Sequence, residues 1–297
     1  MQLTVGELVF ELRVGLVDAH VHDGCSIAGG LAKTLTWGTS VHDETTFEPV
    51  SASLQGRGAR GTVTQLADTL AFDRAENPDA TNTYGLLDLD PACAAQVPPD
   101  LAAYQGGVDS HPYGTVTRRG VTYVADAGGN TLLSVTKRGE VDVVAVLPPA
   151  LTTVTAEVAG AFGLPDCVVG RTLALEPVPT DVEVGRDGAL YVTTLPGGPE
   201  DGSLGALGSV YRVDPRTGKV KRVATGFSGA TGLAIGSKGT IYVSEMFGGK
   251  VSKVDRRGKV STLLTADTPA AIEYTRGKVV VATQVFTTGT IIAAKAR

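Results

Sequence analysis

Apolar and polar residues alternate with a period of two along most of the chain from Pro112 onward, the mark of half-buried strands. Pro179 to Leu195 reads PTDVEVGRDGALYVTTL, and Ala230 to Met246 reads ATGLAIGSKGTIYVSEM. Each is an alternating strand, a charged residue with glycine at a turn, then a strand containing Tyr-Val. Pro112 to Ala127 (PYGTVTRRGVTYVADA) is a third copy with a shortened first strand, and Pro269 to Val285 (PAAIEYTRGKVVVATQV) a worn fourth. The turns Arg118-Arg119-Gly120, Arg186-Asp187-Gly188, Ser237-Lys238-Gly239 and Arg276-Gly277 place glycine where positive φ is needed.

Two more strands are predicted behind each of three hairpins. Thr131–Thr136 and Glu140–Leu147 flank Lys137-Arg138-Gly139; Ser209–Asp214 and Lys219–Thr225 flank Pro215 to Gly218; Lys250–Asp255 and Lys259–Leu264 flank Arg256-Arg257-Gly258. The unit is four antiparallel strands in roughly 40 to 50 residues, the size of a propeller blade. A sandwich or closed barrel also uses many short strands but does not require the same strand-turn-strand string to recur. The pattern therefore predicts an all-β fold: a β-propeller of four-stranded blades, six-bladed or an incomplete version of that.

Two long inter-blade insertions interrupt the rhythm. Residues 77–109 carry Pro, Asp and Asn clusters, and residues 150–178 contain one short predicted helix, Ala156–Gly163. Loops of this kind lie on one face of a repeat array and often house function.

Composition narrows the classes. The 297 residues include 38 glycines and 15 prolines with 5 % aromatics, which suits all-β structure with many tight turns. A formal net charge of −5 argues against general nucleic-acid binding, which needs a basic face. The Lys/Arg-rich stretch Arg212–Lys259 reads as the solvated faces of outer strands. No apolar run approaches the roughly 20 residues of a membrane span. Met1 to Val17, with Glu7 and Glu11, shows no charged-then-apolar export signal. Cys25, Cys93 and Cys167 lack the CxxC spacing of a structural zinc site.

Several strings resemble the ScyD/ScyE family of bacterial proteins: DLAAYQGGVDSHPYG (Asp100–Gly114), YVADAGGNTLLSV (Tyr123–Val135), AVLPP (Ala145–Pro149), the stretch from Pro177 to Val213, and ATGFSGATGLAIGSKGTIYVSE (Ala224–Glu245). NPDATNTYG (Asn77–Gly85) and CAAQVP (Cys93–Pro98) are similar to actinobacterial members. The resemblance runs from about Gly61 to about Lys295. It implies an NHL-like β-propeller, exported and so extracellular, with no established catalytic activity. Met1 to Gly56 carries no such string, so the expected organisation is an atypical N-terminal segment, 1–60, with divergent or incomplete first blades, and a propeller over 61–297. In an exported protein Cys93 and Cys167, one in each insertion, can pair and staple the loops together; buried free thiols are the other reading.

Candidate chemistry is sparse. Asp109, His111 and Tyr113 stand at the entrance of one repeat, where the next two hold Thr180-Asp181 and Thr231-Gly232; Asp126 and Glu245 follow the second strands. His111, Asp126, Asp181 and Glu245 are expected near the channel mouth, where oxygen ligands would suit calcium, as in lactone-hydrolysing propellers. The specific Glu/Asn/Asp set of those enzymes is not recognisable, and Asp and Thr also serve to cap strands and bond turns. Asp18-Ala19-His20-Val21-His22 resembles the HxH of metal-dependent amidohydrolases but lacks the later histidines and alternating helices of that fold. Ser110-His111 has no G-x-S-x-G elbow around it, and Gly128-Gly129-Asn130 and Gly197-Gly198 precede no helix, so they read as turns rather than phosphate loops.

The expected function is a non-catalytic, monomeric propeller that binds a small molecule, glycan or protein over one rim. The alternative is a metal-dependent hydrolase or lyase of the six-bladed SMP-30/NHL-like kind; a protein-interaction scaffold with a broad apolar patch comes third.

Overall fold

In a computed structural model of the chain, residues 2–5, 8–11, 35–43, 45–58, 60–198 and 203–296 are described. The HxH segment and Cys25 lie outside them. Strands β1 (Gln2–Val5) and β2 (Leu8–Glu11) pair as a hairpin. β3 (Leu35–His42), β4 (Pro49–Arg57) and β5 (Val63–Asp68) make a three-stranded sheet, followed by helix α1 (Thr69–Glu76). β6 (Thr83–Leu86) and β7 (Tyr104–Gln105) flank the single turn α2 (Pro91–Ala94). A four-stranded meander follows: β8 (Pro112–Arg118), β9 (Val121–Asp126), β10 (Thr131–Thr136) and β11 (Val141–Val146). β12 (Ala150–Thr153), α3 (Ala156–Ala161) and β13 (Thr172–Leu175) occupy the second insertion.

Two more four-stranded meanders come next. The first is β14 (Pro179–Val184), β15 (Leu190–Thr194), β16 (Gly208–Val213) and β17 (Val220–Phe227). The second is β18 (Ala230–Ile235), β19 (Ile241–Glu245), β20 (Lys250–Val254) and β21 (Val260–Thr265). A three-stranded sheet of β22 (Ile272–Thr275), β23 (Lys278–Thr283) and β24 (Thr290–Lys295) ends the chain.

The sheets stand side by side in sequence order as propeller blades. β3, β8, β14, β18 and β22 are successive neighbours at the centre. Apolar residues from facing sheets fill the spaces between them: Leu132, Leu147, Val182, Leu190, Val192 and Val213 form one cluster, and Val210, Phe227, Leu233, Val243 and Val254 another. Each such side chain contributes roughly 1.5–3 kcal/mol by leaving water. Hydroxyls lock neighbouring first strands: Thr180 Oγ1 donates to Ala230 O at 2.8 Å, and Thr231 Oγ1 to Pro269 O at 3.3 Å.

The sheet of β3 to β5 departs from this scheme. Thr36 and Thr115 hydroxyls meet at 3.0 Å, Gly38 lies against the Pro112 carbonyl, and His42 reaches Asp109. β3 therefore runs antiparallel to β8, whereas β8, β14, β18 and β22 run parallel to one another. β3, β4 and β5 have the directions of the second, third and fourth strands of the regular sheets, with β3 in the innermost place. That order delivers the end of β5 to the rim where β8 must begin.

The two insertions expected as loops prove to be strands of one sheet, ordered β12-β13-β6-β7. Leu173 pairs with Leu86 and Ala174 with Gly85. Leu86, Cys93, Val97, Val154, Val168 and Leu173 give it a small core of its own, and a disulfide joins Cys93 to Cys167 with Cα atoms 5.8 Å apart. Local patterning missed this sheet because its strands are two to four residues long and pair only across the intervening meander. The expected helix at 156–163 is present as α3, capped by the Thr155 hydroxyl on the Val158 N–H at 3.2 Å.

Candidate functional site

Strand direction decides which residues share a rim. Pro112 pairs with Asp126, Asp126 with Thr131, and Thr131 with Val146, so both insertions leave from the edge that carries these residues. The insertion sheet is tied to that edge by a buried polar network. Asp79 accepts from the Tyr84 hydroxyl at 2.7 Å, Asn82 Nδ2 at 3.0 Å and Asn130 Nδ2 at 2.9 Å. Asn130 Nδ2 also reaches Glu176 at 3.0 Å, its Oδ1 accepts the Val178 N–H at 3.0 Å, and Tyr104 donates to Glu176 at 2.7 Å. Burial first, then the hydrogen bond to Asp79, pushes the Tyr84 hydroxyl far above its ordinary range.

Most of the rim residues singled out from sequence are engaged in holding the sheets. Asp126 is buried and accepts the Ser110 hydroxyl at 2.7 Å, the His111 N–H at 2.5 Å and the Gly129 N–H at 3.2 Å. Burial outweighs these bonds and raises its pKa to about 7. Glu245, at the same place in its own repeat, accepts the Ser228 N–H at 2.9 Å and the Ser252 hydroxyl, with Lys250 Nζ 3.6 Å away. Asp181 accepts the Val182 N–H at 2.8 Å and the Leu233 N–H of the next sheet at 2.7 Å. Thr180 and Thr231 are the inter-sheet hydroxyls already described.

The structure does not gather His111, Asp126, Asp181 and Glu245 into one ligand set. Among the described residues, no three His, Cys, Asp or Glu side chains come together as a metal ion needs. Asp126 and Glu245 sit at corresponding places in different sheets, and each turns back onto its own strand start.

What the rim does assemble is a histidine pair. His42 Nε2 lies 2.6 Å from Asp109 Oδ1, and the His42 and His111 rings stack with centroids 5.7 Å apart. The Asp109 N–H is held by Asp73 at 2.9 Å. Asp73 itself, buried on α1, is raised to about 6 by desolvation and the nearby Asp109 and Asp79 charges. With side chains 24 % and 51 % exposed, His42 and Asp109 are open to a ligand. The sequence alone gives His42 no site role, because β3 lies outside the recurring strings.

Below this mouth, Tyr113, Asp181, Glu183 and Glu273 are part-exposed on the innermost strands. Burial raises Asp181 to about 6 and Glu273 to about 7, the latter helped by the Asp181 charge. Burial, Glu273 and Asp181 together lift Glu183 well above the carboxylate range. Tyr113 is raised too, by burial and then by Asp181. β18 separates β14 from β22, so the charges of Asp181 and Glu273 act on one another across an intervening innermost strand. Glu183 and Glu273 occupy the same repeat position, where the other copies carry Val116 and Ala234. That recurrence of an acid among apolar residues was the available signal.

The sequence matches no protein-family model and no curated protein. Among solved structures, the fold is similar to a luciferin-regenerating enzyme, with a TM-score of 0.51 at 14 % identity over 94 % of this chain and 73 % of that one. It is also similar to a chain of the nidogen/laminin complex, with a TM-score of 0.50 at 11 % identity over 93 % and 74 % of the two chains. A gluconolactonase from Xanthomonas campestris aligns at 15 % identity and a TM-score of 0.49 over 95 % and 84 %. At such identities the likeness is one of fold. Among the described residues, no helix is long and apolar enough to cross a membrane.

Proposed function

We propose that this chain is a binding propeller of the NHL-like kind that takes a small hydroxylated molecule, free or as the end of a glycan, into its channel mouth. The supporting observation is the channel set of Asp181, Glu183, Glu273 and Tyr113. The electrostatic neighbours that raise Glu183 are themselves carboxyls. Near neutral pH such groups divide between donor and acceptor states, which suits hydroxyls that need both. His42, Asp109 and His111 add polar contacts at the entrance. An exported protein of the ScyD/ScyE type fits the Cys93–Cys167 disulfide, since such bonds persist in oxidising compartments.

Isothermal titration with a panel of neutral mono- and disaccharides tests this reading. Binding that weakens about tenfold or more in D181N/E273Q, with melting temperature retained, supports it. No heat from any sugar with the wild-type protein removes it.

The His42–Asp109 contact favours a second reading, a hydrolase or lyase, calcium-dependent in the form expected from sequence. A carboxylate that orients an imidazole is the arrangement of a general base. Lactone hydrolysis assayed with and without calcium, in wild type and H42A, separates the readings: turnover lost in H42A favours catalysis, and absence of turnover in both favours binding.

A further inference from the structure

The meander topology sorts charge by rim. In the three four-stranded meanders and the C-terminal sheet, the turns after the first strands, and in the meanders after the third strands, face away from the insertions, and every one carries a cation: Arg118 and Arg119, Lys137 and Arg138, Arg186, Arg216, Lys238, Arg256 and Arg257, and Arg276. In these same sheets the turns after the second strands, at 127–130, 195–207, 246–249 and 284–289, contain no Lys or Arg. A chain of net charge −5 thus has one strongly basic rim, which the overall charge conceals.

On that rim, the β8–β11 and β14–β17 sheets frame an open cleft of about 640 Å³. Five arginines line it, Arg118, Arg119, Arg186, Arg212 and Arg216, with Tyr123 as an aromatic wall and only two aspartates. Both aspartates are engaged: Arg212 Nη2 lies 2.8 Å from Asp187, and Arg216 Nε 4.0 Å from Asp214. Arg186 Nη1 donates to the Ser237 carbonyl. Among the described residues, no carboxylate is within ion-pair distance of Arg118, Arg119 or Arg186. The guanidiniums come from two sheets and converge only in the folded chain.

We propose that this cleft binds a compact polyanion, a small molecule carrying two or more adjacent phosphate or sulfate groups. Planar guanidiniums pair with tetrahedral oxyanions through two parallel N–H bonds each, and several such forks in one cleft match closely spaced anions. The volume is within the range of small-ligand sites, on the order of 300–1,000 Å³. Cations elsewhere on the same rim would attract a long polyanion diffusely, whereas a compact one draws on the cleft alone, so an oligonucleotide is the competing occupant in the test.

Titration calorimetry with inorganic tripolyphosphate and with sucrose octasulfate tests the proposal. Wild type is expected to saturate with at least one of them, and the tighter probe identifies phosphate or sulfated sugar as the source. R118A/R119A and, separately, R216A should weaken binding about tenfold or more, while R257A/K259A, on the same rim but outside the cleft, changes it less than about twofold. The substituted arginines and lysine carry exposed or half-exposed side chains, so unchanged melting temperatures confirm folding. Equal weakening in cleft and control variants reduces the effect to diffuse attraction and overturns the proposal. So does absence of saturation by both probes, or a single-stranded oligonucleotide that binds more tightly than either.

Discussion

Glu183 of β14 and Glu273 of β22 hold the same position in their repeats, and the Glu273 charge reaches Glu183 although β18 stands between their strands. Repetition thus places an acid at the same height on two first strands that are not neighbours, close enough for their charges to interact. The consequence is a part-exposed carboxyl group that resists ionisation on an innermost strand.

That pair sets a pH dependence. Glu273 is raised from 4.5 to about 7 and Asp181 from 3.8 to about 6, and Glu183 is raised well above its ordinary 4.5. Between the unfolded and folded values the native state holds protons that the unfolded chain has released. Stability is therefore full below about pH 4 and falls as pH rises through about 7. E183Q/E273Q should be more stable than wild type at about pH 8 by on the order of 1 kcal/mol, raising Tm by ~2–4 °C. Melting curves across pH check this; an unchanged pH slope in the variant would contradict the channel placement.

The disulfide closes a long loop, Cys93 and Cys167 being 74 positions apart in the chain. Chain entropy assigns such a link about 4 kcal/mol. C93S should therefore loosen the insertion sheet first, because its core is small and separate from the inter-sheet clusters. Limited proteolysis is expected to cut the variant, or the reduced protein, within 86–110 and 150–175 before the meanders. Cleavage that begins in β14–β21 would refute this order.

Asn130 joins Asp79, Glu176 and the Val178 N–H in one buried junction between the insertion sheet and the propeller. N130A strands a buried carboxylate oxygen and an N–H, at a cost of about 2–4 kcal/mol. Y84F removes one donor to Asp79 and should cost about 1–2 kcal/mol. The double variant is expected to lose less than the sum, because both act on the same carboxylate. Additive losses in urea unfolding would show that the junction is not a unit.

Gly38 tests the direction of β3. A Cβ there would sit 2.0 Å from the Pro112 carbonyl oxygen, and backbone cannot yield as a side chain would. G38A should destabilise by about 1–3 kcal/mol or more. G107A, where a Cβ meets nothing within 4 Å, should be close to neutral. Equal effects of the two in chemical denaturation would mean that β3 does not lie against β8 in this register.

Sequence alone determined the meanders. Their strands are local, their turns are marked by Arg-Gly or Lys-Gly, and alternation fixes which side chains enter the core, so repetition of one string was enough to predict propeller blades. It also supplied the pairing chance of Cys93 with Cys167, because each insertion held one cysteine. Tertiary structure alone decided the rest. The insertion sheet depends on pairings between segments that a whole meander separates, and its strands are too short to carry a period. His42 reaches Asp109 only because β3 runs against β8, and the Glu273 charge acts on Glu183 only because the folded sheets bring β14 and β22 near one another. The same holds for the basic rim: a charge in a turn looks like a solvated turn until strand direction places every such turn on one side.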